Sequence, residues 1–347
     1  MKTVFVGLSG GVDSSVTALR LKEQGYNVVG VFIKVWQPDF LRCNWEQERL
    51  DAMRVAAHLE IPFLTCDAEE AYRIEVGEFF ISEYQAGRTP NPDVMCNQHV
   101  KFGAFLDFAL AKGADYVATG HYAQSVLQPD GSVELHRGVD QNKDQSYFLW
   151  TLTQTQLQKI LFPVGDTPKE QIRQEAERAK IPVATKKDSQ GVCFLGHIDI
   201  PEFLSHFVEL VPGPVLDEEG SHIGEHVGAL VYTVGQRHGF TITVQETESQ
   251  PRYVIAKDLT QNTITVSTSV PQLSHTEHTT LYNTNWIPNA PAEQASVAAQ
   301  FRYRQAAFSA IYANNTITPQ TSVSTPATGQ SCVLYEGSRC LGGGMIA

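Results

Sequence analysis

The run Ser9-Gly10-Gly11-Val12-Asp13-Ser14-Ser15 limits what this chain can become more than any other stretch. It follows an apolar segment, Thr3 to Leu8, and precedes apolar residues at helical spacing, Val16, Leu19 and Leu21, so it reads as a strand, a glycine turn and a helix start. Two glycines let the backbone approach a ligand closely, the hydroxyls of Ser9, Ser14 and Ser15 add hydrogen bonds, and free amides at a helix N-terminus favour an anion. An ordinary capped helix after a tight turn would use some of the same residues. A turn needs only one glycine and one cap, however, and this run stands at the carboxyl end of the first strand, where open α/β sheets bind ligands. It has neither the Gly-Lys-Ser/Thr of a Walker loop nor the third glycine of a dinucleotide fingerprint. The expected ligand is a phosphate group held by another kind of loop.

Bulk properties set the frame. A chain of 347 residues with 42% hydrophobic and 18% charged residues has room for a large core and more than one domain. No apolar run approaches the roughly 20 residues that span a bilayer, and Met1-Lys2 leads directly into the first strand, so a cytoplasmic protein with no membrane partner is expected. Cys43, Cys66, Cys96, Cys193, Cys332 and Cys340 form no C-x-x-C pair, which points away from a zinc site and towards small buried hydrophobes. A net charge of −12 argues against general nucleic-acid binding while leaving room for a local basic face.

Strand and helix patterns then alternate. Asn27 to Ile33, Ile61 to Cys66 and Asp115 to His121 read as further strands, with helices over Leu50 to Leu59, Ala68 to Tyr84 and Val100 to Ala111. That alternation predicts an α/β fold with a doubly wound parallel sheet. Pro129-Asp130-Gly131 marks a hairpin, and Thr167-Pro168-Lys169-Glu170 opens another helix. From Pro212 the texture becomes glycine-punctuated and β-rich, then rich in Thr, Ser, Val and Gln. The expected organisation is a catalytic domain over 1–200, a small β-rich central domain over 201–270 and a C-terminal β-barrel over 271–347.

Two cysteines stand apart from the rest. Arg88-Thr89-Pro90-Asn91-Pro92-Asp93-Val94-Met95-Cys96-Asn97 is expected to be a loop because its prolines oppose helix geometry, and it sets a carboxylate three residues before a thiol. Lys186 to Gly196 is a second, lysine-containing loop with Cys193 near its end, and neighbouring cations favour the nucleophilic thiolate. Two such thiols beside a phosphate loop suggest a two-thiol mechanism.

With these motifs in hand the chain resembles the bacterial tRNA-specific 2-thiouridylases, members of the ATP pyrophosphatase superfamily. The resemblance rests on Gly7 to Ser15, Gly87 to Cys96, Ala118 to Tyr122, Asn142 to Leu149, Lys187 to Phe194, Arg302-Tyr303-Arg304 and Cys340 to Gly344, in that order along the chain. It implies ATP-dependent 2-thiolation of the wobble uridine of tRNAs of the Lys, Glu and Gln type. A persulfide on Cys193 would deliver the sulfur, Cys96 would be the second catalytic thiol, and Asp93 would be an acid–base group at the target base. By the same resemblance, ATP binds at Gly7, Leu8, Ser9, Gly10, Gly11, Val12, Asp13, Ser14, Ser15, Ile33 and Gly120, with Asp13 handling Mg²⁺ on the pyrophosphate and no separate metal site. The tRNA contacts it implies are Asn91, Pro92, Asp93, His121, Lys143, Asp144, Gln145, Arg302, Tyr303 and Gln330. A cysteine desulfurase or sulfur-relay protein would supply the persulfide. Ile33, where the family commonly has Met, and Val35 before Trp36, where Asn is usual, are departures in the adenine pocket.

The competing reading is another ATP pyrophosphatase-type synthetase with an amine nucleophile, which would have no use for the thiol pair. Two further expectations follow from the residues. Arg88, Lys101, Lys143, Lys186, Lys187, Arg302 and Arg304 are available for a basic tRNA-binding face, and Gly191 and Gly196 suggest that residues 189–196 hold Cys193 too far from Cys96 to bond when tRNA is absent.

Overall fold

The computed structural model describes residues 1–41, 45–188, 191, 193, 196, 198–244 and 250–347. Its N-terminal sheet is built from β1 (Thr3–Gly7), β2 (Asn27–Lys34), β3 (Phe63–Asp67), β4 (Tyr116–Ala118) and, further along the chain, Ile160–Leu161, with every pairing parallel. Side chains on a strand alternate between faces, and here both faces are apolar. Val4, Val6, Val28 and Phe32 enter one core with α1 (Val12–Glu23) and α2 (Trp45–His58), whereas Phe5, Val29, Val31 and Ile33 enter another. Burial on both faces is what a doubly wound parallel sheet requires, and the expected α/β fold is observed.

The second face is covered by two composite helices. Residues 69–85 run through α3 (Glu69–Tyr72), a π-helical stretch (Arg73–Glu78) and α4 (Phe79–Gln85); residues 92–111 run through α5 (Pro92–Met95), a longer π-helical stretch (Cys96–Ala104) and α6 (Phe105–Ala111). This corrects the loop expected over Arg88–Asn97. Proline is excluded from helix interiors but tolerated at the first turn, where its missing N–H would have no partner. Pro92 takes that place, and the Asn91 side chain accepts from the Val94 amide at 3.3 Å to cap the helix. Cys96 therefore sits inside a helix.

The predicted hairpin is present as β5 (Ala123–Leu127) and β6 (Val133–Arg137), followed by α7 (Gln154–Leu157), β7 (Ile160–Leu161) and α8 (Lys169–Arg178). After α9 (Ile200–Ser205) comes a five-stranded sheet in the order β10-β9-β8-β12-β11, formed by β8 (Gly213–Leu216), β9 (His222–His226), β10 (Phe240–Ile242), β11 (Tyr253–Asp258) and β12 (Thr263–Ser267). Its core includes Phe80 and Tyr84 from α4. The C-terminal part contains a two-stranded ribbon, β13 (Gln272–Leu273) with β18 (Val323–Ser324). Beside it β14 (Thr279–Trp286), β15 (Ala295–Gln300), β16 (Phe308–Ala313), β17 (Thr316–Pro319), β19 (Ser331–Glu336) and β20 (Arg339–Ile346) close into a barrel, because β14 pairs with both β17 and β20.

The hairpin does not join the parallel sheet. It pairs with the barrel, Leu135 opposite Cys340 and His136 opposite Arg339. One apolar core consequently runs from Leu135, Tyr147, Leu149 and Trp150 into Ile287, Val333, Tyr335 and Met345 of the barrel. The Tyr147 hydroxyl lies 3.0 Å from the Phe301 carbonyl and 2.9 Å from that of Ser331, and the Trp150 indole N–H donates to Ser331 Oγ at 3.0 Å. Cys66, Cys332 and Cys340 are buried, as their sequence reading suggests, while Cys43 lies outside the described residues. Among the described residues no helix is long and apolar enough to cross a membrane.

Tyr147→Phe removes the donor facing two barrel carbonyls in a dry interface. It should cost about 1–3 kcal/mol, read as a lower denaturant midpoint. A midpoint equal to that of the unmodified protein would show that the phenol hydroxyl does not hold the barrel in place.

Candidate active site

The sheet order β3-β2-β1-β4-β7 reverses direction between β1 and β4, and the crevice beyond the carboxyl ends of those strands is where such sheets bind ligands. Gly7 to Ser15 leave β1 there. Gly10 has φ +69°, and a Cβ at this position would lie 2.6 Å from the Glu48 carbonyl, so neither the conformation nor the space admits a side chain. Ser14 Oγ accepts from the Ser9 amide at 3.3 Å and Ser15 Oγ donates to the Gly11 carbonyl at 2.7 Å, bracing the turn from within. Gly11 caps α1 without a side-chain hydrogen bond. Leu8 and Val12 are buried beneath the turn, and Ile33 packs near Gly7.

From β4 come four consecutive residues that touch both halves of the site. Thr119 Oγ1 lies 2.7 Å from His121 Nδ1. Gly120 packs so tightly that a Cβ would fall 2.7 Å from the Ser14 amide nitrogen. His121 Nε2 lies 3.5 Å from Lys101 Nζ, and the Tyr122 hydroxyl donates to Asp13 Oδ1 at 2.7 Å.

Asp13 also receives Lys169 Nζ on both oxygens, at 2.7 and 2.8 Å. Lys169, only 9% exposed, reaches Asp188 at 2.8 Å as well, and Asp188 is further paired with Lys143 at 2.6 Å and Arg173 at 2.9 Å. Partial burial opposes ionisation of Asp188, but its cations outweigh that and hold the carboxyl at about 2. This ion network ties the phosphate loop to the start of the segment that carries Cys193.

The two singled-out thiols meet. Cys96 Sγ–H donates to Cys193 Sγ across 3.4 Å, with no disulfide between them. The displaced Cys193 expected in the absence of tRNA is therefore not what the structure shows. The reason lies in the backbone of Cys193: its amide donates to Asp93 Oδ1 at 2.8 Å, and its carbonyl accepts from the Tyr72 hydroxyl at 2.8 Å. Ser189, Gln190, Val192, Phe194 and Leu195, which complete the expected moving segment, lie outside the described residues. Burial and the bond to Cys193 push the Cys96 thiol well up, whereas donation from Cys96 and the nearby Lys101 ammonium pull Cys193 down. Of the two thiols, Cys96 therefore holds its proton the more tightly. Burial raises Asp93, with the Cys193 amide opposing.

The remaining sequence-predicted residues divide by exposure. Asn91 and Pro92 form the helix start beside Asp93. His121 and Asp144 are buried; Asp144 accepts from Arg137 at 2.8 Å and from the Gly138 and Ser146 amides at 3.0 and 3.1 Å. Gln145 Oε1 accepts from the Tyr122 amide at 3.1 Å. On the barrel side, Tyr303 packs against Phe148 at a ring distance of 4.5 Å, Arg302 donates to the Val234 carbonyl at 3.1 Å, and Gln330 is half-buried. Of the cations proposed for a basic face, Arg88 pairs with Glu83, Lys143 with Asp188 and Lys186 with Asp51, while Lys101 is drawn in beside the thiols; Lys187 and Arg304 are exposed. Tyr72 and Lys169 escape sequence reasoning because nothing in their local spacing marks them.

Comparison with known proteins accounts for the whole layout. The chain matches the model of the tRNA methyl transferase HUP domain over residues 2–197, that of the tRNA methyl transferase PRC-barrel domain over 201–268 and that of the aminomethyltransferase beta-barrel domain over 276–346. The class is a HUP-type α/β domain followed by two β-rich domains. Over 365 aligned residues, 99% of this chain and 94% of the other, it is 45% identical to the tRNA-specific 2-thiouridylase MnmA of Streptococcus thermophilus, and over 355 residues, with the same coverage, 44% identical to that of Enterococcus faecalis. The chain belongs to the tRNA-specific 2-thiouridylase family, enzymes of the tRNA-uridine 2-sulfurtransferase class. Among solved structures, the U34-tRNA thiolase NcsA from Methanococcus maripaludis is similar over 59% of this chain and 62% of that one, with a TM-score of 0.37 and 16% identity.

Tyr72→Phe should leave the fold intact but loosen Cys193. Since a hydrogen bond of this kind is worth about 1 kcal/mol, oxidation of Cys96 and Cys193 to a disulfide should slow by about fivefold, followed by mass spectrometry of non-reduced peptides. An unchanged rate would mean that Asp93 alone fixes the segment.

Proposed function

We propose that this enzyme thiolates the 2-position of the wobble uridine, position 34, of tRNA, using ATP to activate the carbonyl oxygen and a persulfide on Cys193 as the sulfur source. The observation that carries this reading is the pair of sulfurs 3.4 Å apart, joined to the phosphate loop through Thr119 to Tyr122. A phosphate loop alone would suit any adenylating enzyme. A polarised thiol pair beside it suits one whose nucleophile is sulfur.

The residues fit the triphosphate. The glycine turn at Gly10 and Gly11, the start of α1 without a side-chain cap and the Lys169 ammonium would face it. Asp13 would hold Mg²⁺, which would offset charge on the departing pyrophosphate; both Asp13 oxygens face Lys169 in this structure, so Lys169 would shift to the phosphates as the metal takes its place.

Chemically, the uridine O2 attacks the α-phosphorus of ATP and pyrophosphate leaves, giving an O-adenylated base whose oxygen departs readily. The terminal sulfur of the Cys193 persulfide attacks C2, and the C2–O bond breaks with AMP taking the electron pair. Cys96 then gives its proton to Asp93 and attacks Cys193 Sγ; the Cys96–Cys193 disulfide forms as the S–S bond to the transferred sulfur breaks, leaving that sulfur with the electron pair on C2. An external thiol returns the disulfide to two thiols. A disulfide has an S–S length of about 2 Å, so the sulfurs need only a small approach. The alternative order, in which Cys96 releases sulfide that then attacks C2, produces the same disulfide.

Asp93 binds the Cys193 amide in this structure, and it would exchange protons with the base once tRNA is seated beside Asn91 and Pro92. Lys143, Gln145, Arg302, Tyr303 and Gln330 would line the tRNA path, with His121 and Asp144 supporting it from beneath. The tRNAs for Lys, Glu and Gln are the proposed substrates, and a cysteine desulfurase or relay protein the proposed donor of the persulfide sulfur.

The test is mass spectrometry of tRNA nucleosides after incubation with protein, ATP, Mg²⁺ and a sulfur donor. 2-Thiouridine at position 34 is expected, and its absence with a loaded Cys193 would overturn the reading. Cys193→Ser should abolish thiolation yet retain tRNA-dependent pyrophosphate release, because activation of the carbonyl precedes sulfur attack. Loss of pyrophosphate release in that variant, with the fold intact, would contradict this order of steps.

A further inference from the structure

A lysine, half-buried like Cys193, lies beside the thiol pair. Lys101 follows Cys96 by five residues within the π-helical stretch Cys96–Ala104. In an α-helix five residues turn the chain about 140° past a full turn, which would send the lysine to another face. The i→i+5 winding of a π-helix instead closes one turn over these five residues and returns Lys101 to the side of Cys96. Its ammonium approaches His121 Nε2 at 3.5 Å. An ammonium only donates, so Nε2 accepts; Nδ1 then carries the ring proton and donates to Thr119 Oγ1 at 2.7 Å. Burial and the Lys101 charge both keep His121 neutral. On its other side the Lys101 ammonium acts on the Cys193 sulfur and favours its ionised form.

We propose that Lys101 is the fixed counter-ion of the Cys193 sulfur, holding it as an anion, with neutral His121 and Thr119 aiming the ammonium. The charged and titratable groups around this sulfur are Cys96, which donates its S–H, Asp93, whose carboxylate binds the Cys193 amide, and the Tyr72 hydroxyl, which binds the Cys193 carbonyl. Among the described residues around this sulfur, Lys101 is the one that brings positive charge. Burial disfavours the ammonium, but the thiols and Asp93 outweigh it, and Lys101 stays protonated. The same ammonium would neutralise a persulfide, which at neutral pH carries its charge on the terminal sulfur. It would also draw that sulfur to the side of the pocket where β4 meets the phosphate loop. Use of the anion for sulfur delivery rests on the thiolation reading, whereas the charge of the resting thiol does not.

The experiment is the pH dependence of Cys193 alkylation by iodoacetamide in the full chain, with Cys96 and Cys193 peptides resolved by mass spectrometry. In Lys101→Met the midpoint should rise by about one unit or more, slowing alkylation near neutral pH by about tenfold; Lys101→Arg should stay near the unmodified protein. An unmoved midpoint in a folded Lys101→Met variant would overturn the assignment and leave Cys96 as the sole cause. If the methionine variant does not fold, the unmodified protein decides. A half-buried counter-ion held against the sulfur is screened much less than an exposed one, so the midpoint should nearly hold between about 0.1 and 1 M salt; a midpoint that climbs steeply with salt would assign the effect to exposed charges and overturn the proposal. Thiolation of tRNA by the same variants separates the two questions: a shifted alkylation midpoint without any thiolation by the unmodified protein would defeat the functional reading and spare Lys101.

Discussion

The close approach of β4 to the start of α1 is the constraint on which the site depends. A methyl group on residue 120 would overlap the Ser14 amide and the Asp13 backbone, so the strand end reaches the phosphate loop only because Gly120 has no side chain. That contact sets the neighbours on either side. Tyr122 is brought onto Asp13, and His121 is brought onto Lys101 and the thiol pocket. In the proposed reaction, phosphoryl activation and sulfur attack on one base would thereby be registered by four residues of one strand end. Near-rigid placement of this kind is how a site converts an encounter of several reactants into a local event.

A second connection runs through charge. Lys169 bridges Asp13 and Asp188, and Asp188 draws in Lys143 and Arg173. Loss of one partner from a mostly buried ion cluster costs more than the cluster contributes, because the charges left behind stay desolvated. The cluster spans the phosphate loop, the loop bearing Lys143 and the entry to the Cys193 segment. Anything that redirects Lys169 therefore alters the balance at Asp188, and the carboxylate would be left to Lys143 and Arg173 alone.

Much of this architecture is legible in the residues. The glycine-serine turn, the alternation of strands and helices and the change of texture near Pro212 all report local chemistry: φ preference, periodicity and turn composition. What sequence reasoning misses is set by other forces. Proline chemistry makes the stretch around Cys96 look like a loop, yet Pro92 occupies the one helical position that suits it. Lys101 looks like a surface charge unless the winding of its helix is known, and π-winding has no dependable sequence signal. Tyr72 and Lys169 act across 121 and 156 residues of chain, on Cys193 and Asp13. Of the seven cations expected on a basic face, Arg88, Lys143 and Lys186 are ion-paired and Lys101 is drawn in beside the thiols, contacts that the local sequence does not announce.

The hairpin of β5 and β6 carries a consequence for how the protein is made. It emerges from the ribosome well before the strand it pairs with, β20, and His136 meets Ser338, 202 residues further along the chain. Until then the apolar side of Leu135, Leu149 and Trp150 has no barrel to cover it. The nucleotide-binding domain thus cannot complete its core during its own synthesis and must wait, partly uncovered, for the C-terminal strand. Non-local pairing of this sort is slow and leaves sticky surface open to wrong partners. It also ties the appearance of a finished thiol pocket to synthesis through β20, so that a chain interrupted before that strand would lack the support on which the pocket rests.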